Sequence, residues 1–202
     1  MEKMNTREKA IKEFSEHGGV MKTSELMNAG YYYANIQKLL SHGVIEKISR
    51  GIYHLIDSSD SSEAVIINRL FPEAILCLET ALYYYGYSDR TPSAWHLAVN
   101  KDVRKTRFNI DYPFVRPYYF EPHSLEIGLT EGEIDSHPVR IYDKERTICD
   151  CLKRSGRIDR EIFNKAIQNY IKEPNKNIPN LMQYAKHLRV DKKVRDLIGV
   201  WL

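Results

Sequence analysis

Cysteine is scarce in this chain of 202 residues: only Cys77, Cys149 and Cys151 occur. A small odd number makes no disulfide framework, and the three are expected to be reduced and partly buried. Cys149 and Cys151 lie two apart on a predicted helix and so point to different sides. No second cysteine pair or spaced histidine pair joins them to complete a tetrahedral metal site. Long apolar runs are missing too. The opening MEKMNTREKAIKEF mixes charges among its apolar residues, and no stretch approaches the length of a membrane span. The expectation is a cytoplasmic protein with no membrane partner. A Gly-rich phosphate loop, G-x-S-x-G and H-E-x-x-H are all absent, as are internal repeats and low-complexity tracts. No cofactor, metal or catalytic residue is expected.

An apolar share of 43% in a chain of this size suits one domain of ordinary size or two small ones with real cores. The net charge of +3 says little by itself, so its distribution matters more. Residues 1–57 carry eight basic and seven acidic side chains, 58–139 seven and twelve, and 140–202 fifteen and eight. The basic excess therefore lies in the last third. It can contact a phosphate backbone, hold an acidic partner or simply form a solvated helical surface.

Residues 22–55, KTSELMNAGYYYANIQKLLSHGVIEKISRGIYHL, are the most informative stretch. Thr23 can cap a short helix whose first turn carries Glu25, and Ala29 and Gly30 end it. A second helix fits 31–42, with Tyr32, Ile36, Leu39 and Leu40 on one stripe and Gly43 as its stop. Its other face holds Tyr31, Ala34, Gln37, Lys38 and Ser41, flanked by Tyr33 and Asn35. Amide, hydroxyl and amine groups of this kind read base edges and phosphates in a major groove, although an ordinary solvated helix face has the same composition. Two short strands then flank Ser49, Arg50 and Gly51, which places Arg50 at a hairpin tip where it can reach a phosphate or a narrow minor groove. The pattern is that of a winged helix-turn-helix. A first helix over 5–17 would supply Ala10, Ile11 and Phe14 to pack on Leu26, Met27, Ile36 and Leu40. Lys22 and Thr23 can anchor a phosphate at the start of the following helix.

DSSDSSE at 57–63 resembles a linker and offers Ser61 or Ser62 as a helix cap. The expected domains are 1–57, a winged helix-turn-helix, and 63–202, joined by a linker over 58–62. In the second domain a helix over 63–71 is followed by strands at 74–78, 94–100, 114–120, 125–129 and 139–143, with a helix at 79–87 between the first two. Pro117 places the strand at 114–120 at an edge or bulge. Helices are expected over 145–153, 160–172, 178–188 and 192–201. The fold class is α+β: an N-terminal winged helix-turn-helix followed by a domain with a small antiparallel sheet and several helices. Asp143 can cap the helix that follows it, Ile148 and Leu152 share a buried face, and Arg146 and Asp150 are expected to pair on the surface. His123 reads as a plain surface residue, and Glu131, Glu133 and Asp135 as a solvated loop rather than a magnesium site. The tyrosines of 83–85 and 118–119 read as packing residues rather than base-stacking platforms.

SRGIYHL at the wing, ETALYYYGYSDRTPSAWHLAVN at 79–100 and VRIYDKERTICDCLKRSG at 139–156 together resemble the AbiEi family, the antitoxins of type IV abortive-infection toxin-antitoxin systems. The resemblance implies a phage-defence regulator that binds inverted repeats upstream of its own operon and represses it. It further implies a nucleotidyltransferase-like toxin as functional partner, countered without a stable complex, and cooperative assembly on DNA. Carried over by position, DNA contact falls on 31–41 and on Arg50. No residue of 58–202 receives an antitoxin role. The candidate DNA-binding residues are Lys22, Thr23, Tyr31, Tyr33, Asn35, Gln37, Lys38, Ser41 and Arg50. Two rival readings stay open: an enzyme acting on nucleic acid that the N-terminal domain delivers, and a transcriptional regulator responding to a small molecule.

Overall fold

The computed structural model describes residues 6–56 and 62–199. They form two compact units that do not follow chain order. One comprises the described residues up to Glu73 with Lys105–Phe114 and Ile134–His137; the other comprises Ala74–Arg104, Val115–Glu133 and the described residues from Pro138 onward. Helices and strands mix in both, the α+β class expected.

In the first unit, α1 (Thr6–Glu16) buries Ala10 and Phe14 as expected. The chain turns through Gly18 and Gly19 into β1 (Val20–Lys22), a strand too short for any alternation to announce it. Then come α2 (Thr23–Asn28), α3 (Tyr33–Ser41), β2 (Ile45–Ser49) and β3 (Ile52–Leu55). The expected hairpin β2–β3 is present, and β1 pairs antiparallel on the far side of β3, so the sheet runs β1-β3-β2. Phe14, Met21, Leu26, Ile36, Leu39 and Leu55 form its core. Met27, expected inside, is exposed, and Met21 of β1 takes a core place instead.

Of the expected linker only Ser62 lies among the described residues; 58–61, with Ser61, lie outside them. The Ser62 hydroxyl accepts from the Ala64 N–H at 3.2 Å and so caps α4 (Glu63–Leu70), the helix expected there. After α4, Phe71 stacks on Phe108 with ring centroids 4.9 Å apart. Arg107 donates to the Leu70 carbonyl at 2.9 Å and pairs with Glu73, which fastens the short helical turn Lys105–Phe108 into this unit.

The second unit holds β4 (Ile75–Leu76), α5 (Leu78–Tyr84), β5 (Trp95–Asn100), β6 (Val115–Phe120), α6 (Pro122–Leu125), β7 (Leu129–Ile134) and β8 (His137–Tyr142), the last two apart from their end residues Ile134 and His137. Four helices follow: α7 (Lys144–Lys153), α8 (Arg160–Lys172), α9 (Ile178–Leu188) and α10 (Asp191–Leu197). All four were expected, although Trp201 lies outside the described residues. The sheet, ordered β6-β5-β4-β8-β7, is mixed rather than antiparallel: β5 runs parallel to β6 and β4 parallel to β8. The long connection over 101–114 allows the β5–β6 crossover, since parallel neighbours need a dozen or more linking residues. β6, with Pro117, sits at the sheet edge as expected.

The strand expected over 125–129 is instead the end of α6 and a turn, and the true strand, β7, begins at Leu129. Glu131 and Glu133, read as a loop, stand exposed on that strand, where a half-solvated face accepts carboxylates. The largest departure is α7, buried all round from Glu145 to Leu152 because α5, α8, α9 and α10 pack about it. Arg146 and Asp150 are therefore enclosed rather than on the surface. Asp143 Oδ1 accepts from the Arg146 N–H at 2.7 Å, the expected cap. The three cysteines are free and fully buried, and burial pushes the Cys151 thiol up to about 12.

Candidate nucleic-acid interface

α2 is held at its first turn by α4 and by the wing. At its start the Lys22 N–H donates to Glu25 Oε2 at 2.8 Å, and Arg69 of α4 pairs with Glu25 Oε1 at 2.6 Å. Burial pushes the Glu25 carboxyl up, but the Lys22 amide and the Arg69 guanidinium outweigh it and hold the group below its ordinary value. Thr23 does not cap this helix as expected. It is the first helical residue, and its N–H and hydroxyl both donate to the Gly51 carbonyl, at 2.8 and 3.2 Å. The wing is thereby tied to α2. Gly51 has φ +73°, and a Cβ there would lie 3.2 Å from Thr23 Oγ1, so both the turn and the close approach ask for glycine.

Between α2 and α3 the Tyr31 N–H donates to the Leu26 carbonyl at 2.8 Å and closes the turn. α3 starts at Tyr33, two residues later than its sequence suggests, because Asn35 Oδ1 accepts from the Tyr32 N–H at 3.1 Å and fixes the boundary there. Residues 31 and 32 are left non-helical, and consecutive side chains point opposite ways. Tyr31 consequently enters the core at 8% exposure, whereas Tyr32, expected inside, is 67% exposed. Tyr31 thus leaves the outward face on which it was placed.

The rest of that face is where the periodicity puts it. Tyr33 is 73% exposed, and Ala34, Gln37, Lys38 and Ser41 are all exposed over a base of Ile36 and Leu39. Asn35 is half-buried, with its oxygen engaged at the helix start and its NH2 left to donate outward. The Ser41 hydroxyl donates to the Lys38 carbonyl at 3.0 Å, leaving it an acceptor. Gln37 and Lys38 have no side-chain partner among the described residues. Lys22 is exposed and Thr23 half-exposed; Arg50 is exposed at the wing tip. Two further groups had no place among the candidates: Tyr32, hidden by the misplaced helix start, and Lys47, exposed on β2. A basic residue three positions before the wing tip is the signal for the latter. On the other side of the same hairpin, His54 Nδ1 meets Glu46 Oε1 at 3.1 Å across the β2–β3 pair.

Three helices packed on a small antiparallel sheet, with a hairpin joined to the second helix and an exposed polar third helix, define a winged helix-turn-helix. Residues 8–56 match the family model described as "Transcriptional regulator, AbiEi antitoxin". Over that segment the chain is similar to a family of transcriptional regulators and antitoxins, in agreement with the resemblance read from its residues. Among curated proteins no significant match is found. No helix of the described residues is long and apolar enough to cross a membrane, and no group of three or more His, Cys, Asp or Glu among them is placed to hold a metal ion.

Proposed function

We propose that this protein is the antitoxin and autorepressor of a type IV toxin-antitoxin operon, in which residues 1–57 bind double-stranded promoter DNA at inverted repeats. α3 enters the major groove with Tyr33, Asn35, Gln37, Lys38 and Ser41, and Arg50 reaches the adjacent backbone or minor groove. Lys22 and Thr23 meet a phosphate beside the start of α2. The observation that carries this reading is the exposed polar face of α3, whose Gln37 and Lys38 have no side-chain partner among the described residues, in the unit that also presents Arg50. The family description supports the regulator and antitoxin roles. Residues 63–202 carry the antitoxin function, countering a nucleotidyltransferase-like toxin without a stable complex and supporting cooperative assembly on DNA. No reaction is catalysed in this reading.

Fluorescence anisotropy of the full chain on the DNA upstream of its own gene, against a scrambled duplex at several salt concentrations, is the test. A preference of about a thousandfold or more at physiological salt is expected of a specific operator binder. Equal binding of both duplexes, disappearing with salt, would be nonspecific phosphate attraction and would refute operator recognition.

A further inference from the structure

The second unit contains a cleft of about 230 Å³ whose lining includes Arg116, Arg154 and Arg157 together with Glu79, Tyr118 and Leu78. The three guanidinium groups come from separate places: the edge strand β6, the C-cap of α7 and the turn that follows it. That turn is closed by the Arg157 N–H donating to the Arg154 carbonyl at 2.7 Å. Among the described residues none of the three stands within 4.0 Å of a carboxylate oxygen, whereas Arg90, Arg140, Arg146 and Arg195 of the same unit each do. Glu79, the one carboxylate in the lining, is likewise outside ion-pair distance of any arginine.

Each arginine has a local rationale. A charge guards a sheet edge, a cation suits a helix C-terminus, and a turn accepts a solvated side chain. Their convergence on one cleft has none, because three like charges repel and the carboxylate of the lining, Glu79, forms no close ion pair with any of them. The cleft is also built rather than loose. The Arg154 guanidinium lies 4.7 Å from the centroid of the Tyr118 ring, Arg116 hydrogen-bonds the Tyr118 hydroxyl, and that hydroxyl also meets Nδ1 of the buried His96 at 3.2 Å. Leu78 holds φ +46°, a left-handed backbone that a non-glycine residue adopts at a cost, in the wall of the cleft.

Guanidinium forks match phosphate oxygens, and a carboxylate accepts from hydroxyl groups. The lining therefore asks for a ligand that carries both phosphate and hydroxyl donors, and the volume excludes a duplex. We propose that this cleft binds a nucleoside phosphate, its phosphates on Arg116 and Arg157, a sugar hydroxyl donating to Glu79, and Arg154 fixed over Tyr118 as the charged wall.

Isothermal titration calorimetry of the full chain with ADP, pyrophosphate and sulfate at equal ionic strength tests this. ADP should bind most tightly and sulfate most weakly. Arg116→Ala and Arg157→Ala, both at exposed positions and expected to melt like the parent, should each weaken ADP by about tenfold or more, as for a lost charge-assisted hydrogen bond. Arg157→Lys, which keeps the charge and loses the fork, should fall between. Glu79→Gln should weaken ADP by a few-fold while pyrophosphate binds as well or better. Absence of heat with ADP, equal binding of ADP and sulfate, or ADP binding indifferent to both alanine variants would overturn the proposal.

Discussion

Arg146 and Asp150, one turn apart on α7, form an ion pair of 3.0 Å from Nε to Oδ2 with both side chains shut away from water. The same guanidinium donates through Nη1 to the carbonyls of Ser124 and Ile127, at 2.6 and 2.7 Å, and lies 4.2 Å from the centroid of the Tyr142 ring. One side chain thus fastens the segment after β6 to the central helix of its unit. Such a pair on a helix surface contributes a few tenths of a kcal/mol. Enclosed, it behaves differently, because removing one partner leaves the other charge buried and alone. Arg146→Ala or Asp150→Ala should each destabilise by about 3–5 kcal/mol, and the apolar double variant Arg146→Met with Asp150→Leu by less than the sum. Urea denaturation of the four proteins decides it. Single variants within about 1 kcal/mol of the parent would mean the pair is hydrated in solution.

Gly128 belongs to the same arrangement. Its φ is +73°, and a Cβ built there would collide with Arg146 Cβ. Gly43 has a similar φ of +63° but open space around it. Gly43→Ala should therefore cost only the left-handed backbone term of about 1–2 kcal/mol. Gly128→Ala adds a clash against a side chain that is itself pinned, and should lower the melting temperature clearly further. Equal losses for the two would show that α7 can yield at Arg146.

These contrasts bear on what was legible beforehand. Gly51 between two short apolar runs announces a hairpin, and the spacing of Ile36 and Leu39 announces the inner face of α3, because both signals are local. The start of α3 is not local in that sense. It depends on the Asn35 side chain reaching the Tyr32 amide, and a shift of two residues was enough to exchange the places of Tyr31 and Tyr32. β1 has three residues, too few to show a period. The burial of Arg146 and Asp150 is decided by α5, α8, α9 and α10 arriving from elsewhere in the chain, so a polar helix face looks solvated until its neighbours are known. The arginine cleft escaped for the same reason, since Arg116 lies far in sequence from Arg154 and Arg157.

His96 gives a pH dependence with a definite sign. Burial, helped by the nearby Arg116 charge, lowers its imidazole from 6.5 to about 4, while in the unfolded chain the ring titrates at its ordinary value. Between those values the unfolded chain binds more protons than the folded one. The stabilisation is therefore complete above about pH 6.5 and is lost as pH falls towards 4. The gap amounts to about 2–3 kcal/mol by pH 4.5. His96→Gln removes the titrating ring, so its loss of stability between pH 7 and 4.5 should be smaller than the parent's by about that amount. Denaturant midpoints at the two pH values measure it, and parallel losses would show that His96 does not titrate differently on folding.

The contrast between Tyr31 and Lys38 separates fold from recognition in the first unit. Tyr31 sits in the core with Leu26 and Ile36, so Tyr31→Ala should cost about 3–5 kcal/mol of stability, with any loss of DNA binding following from unfolding. The Lys38 side chain is exposed, has no hydrogen-bond or ion-pair partner among the described residues, and stands on the face proposed to meet DNA. Lys38→Ala should leave the melting temperature unchanged, weaken operator and scrambled duplexes alike, and flatten the dependence of log affinity on log salt by about one unit. Gln37→Ala on the same face should instead weaken the operator by about 1–3 kcal/mol and leave the salt slope alone, because an amide reads a base edge and releases no counter-ion. If both variants bind as the parent does, α3 does not lie in the groove. The exposed wing, with Arg50 and Lys47, would then become the part of this unit to test.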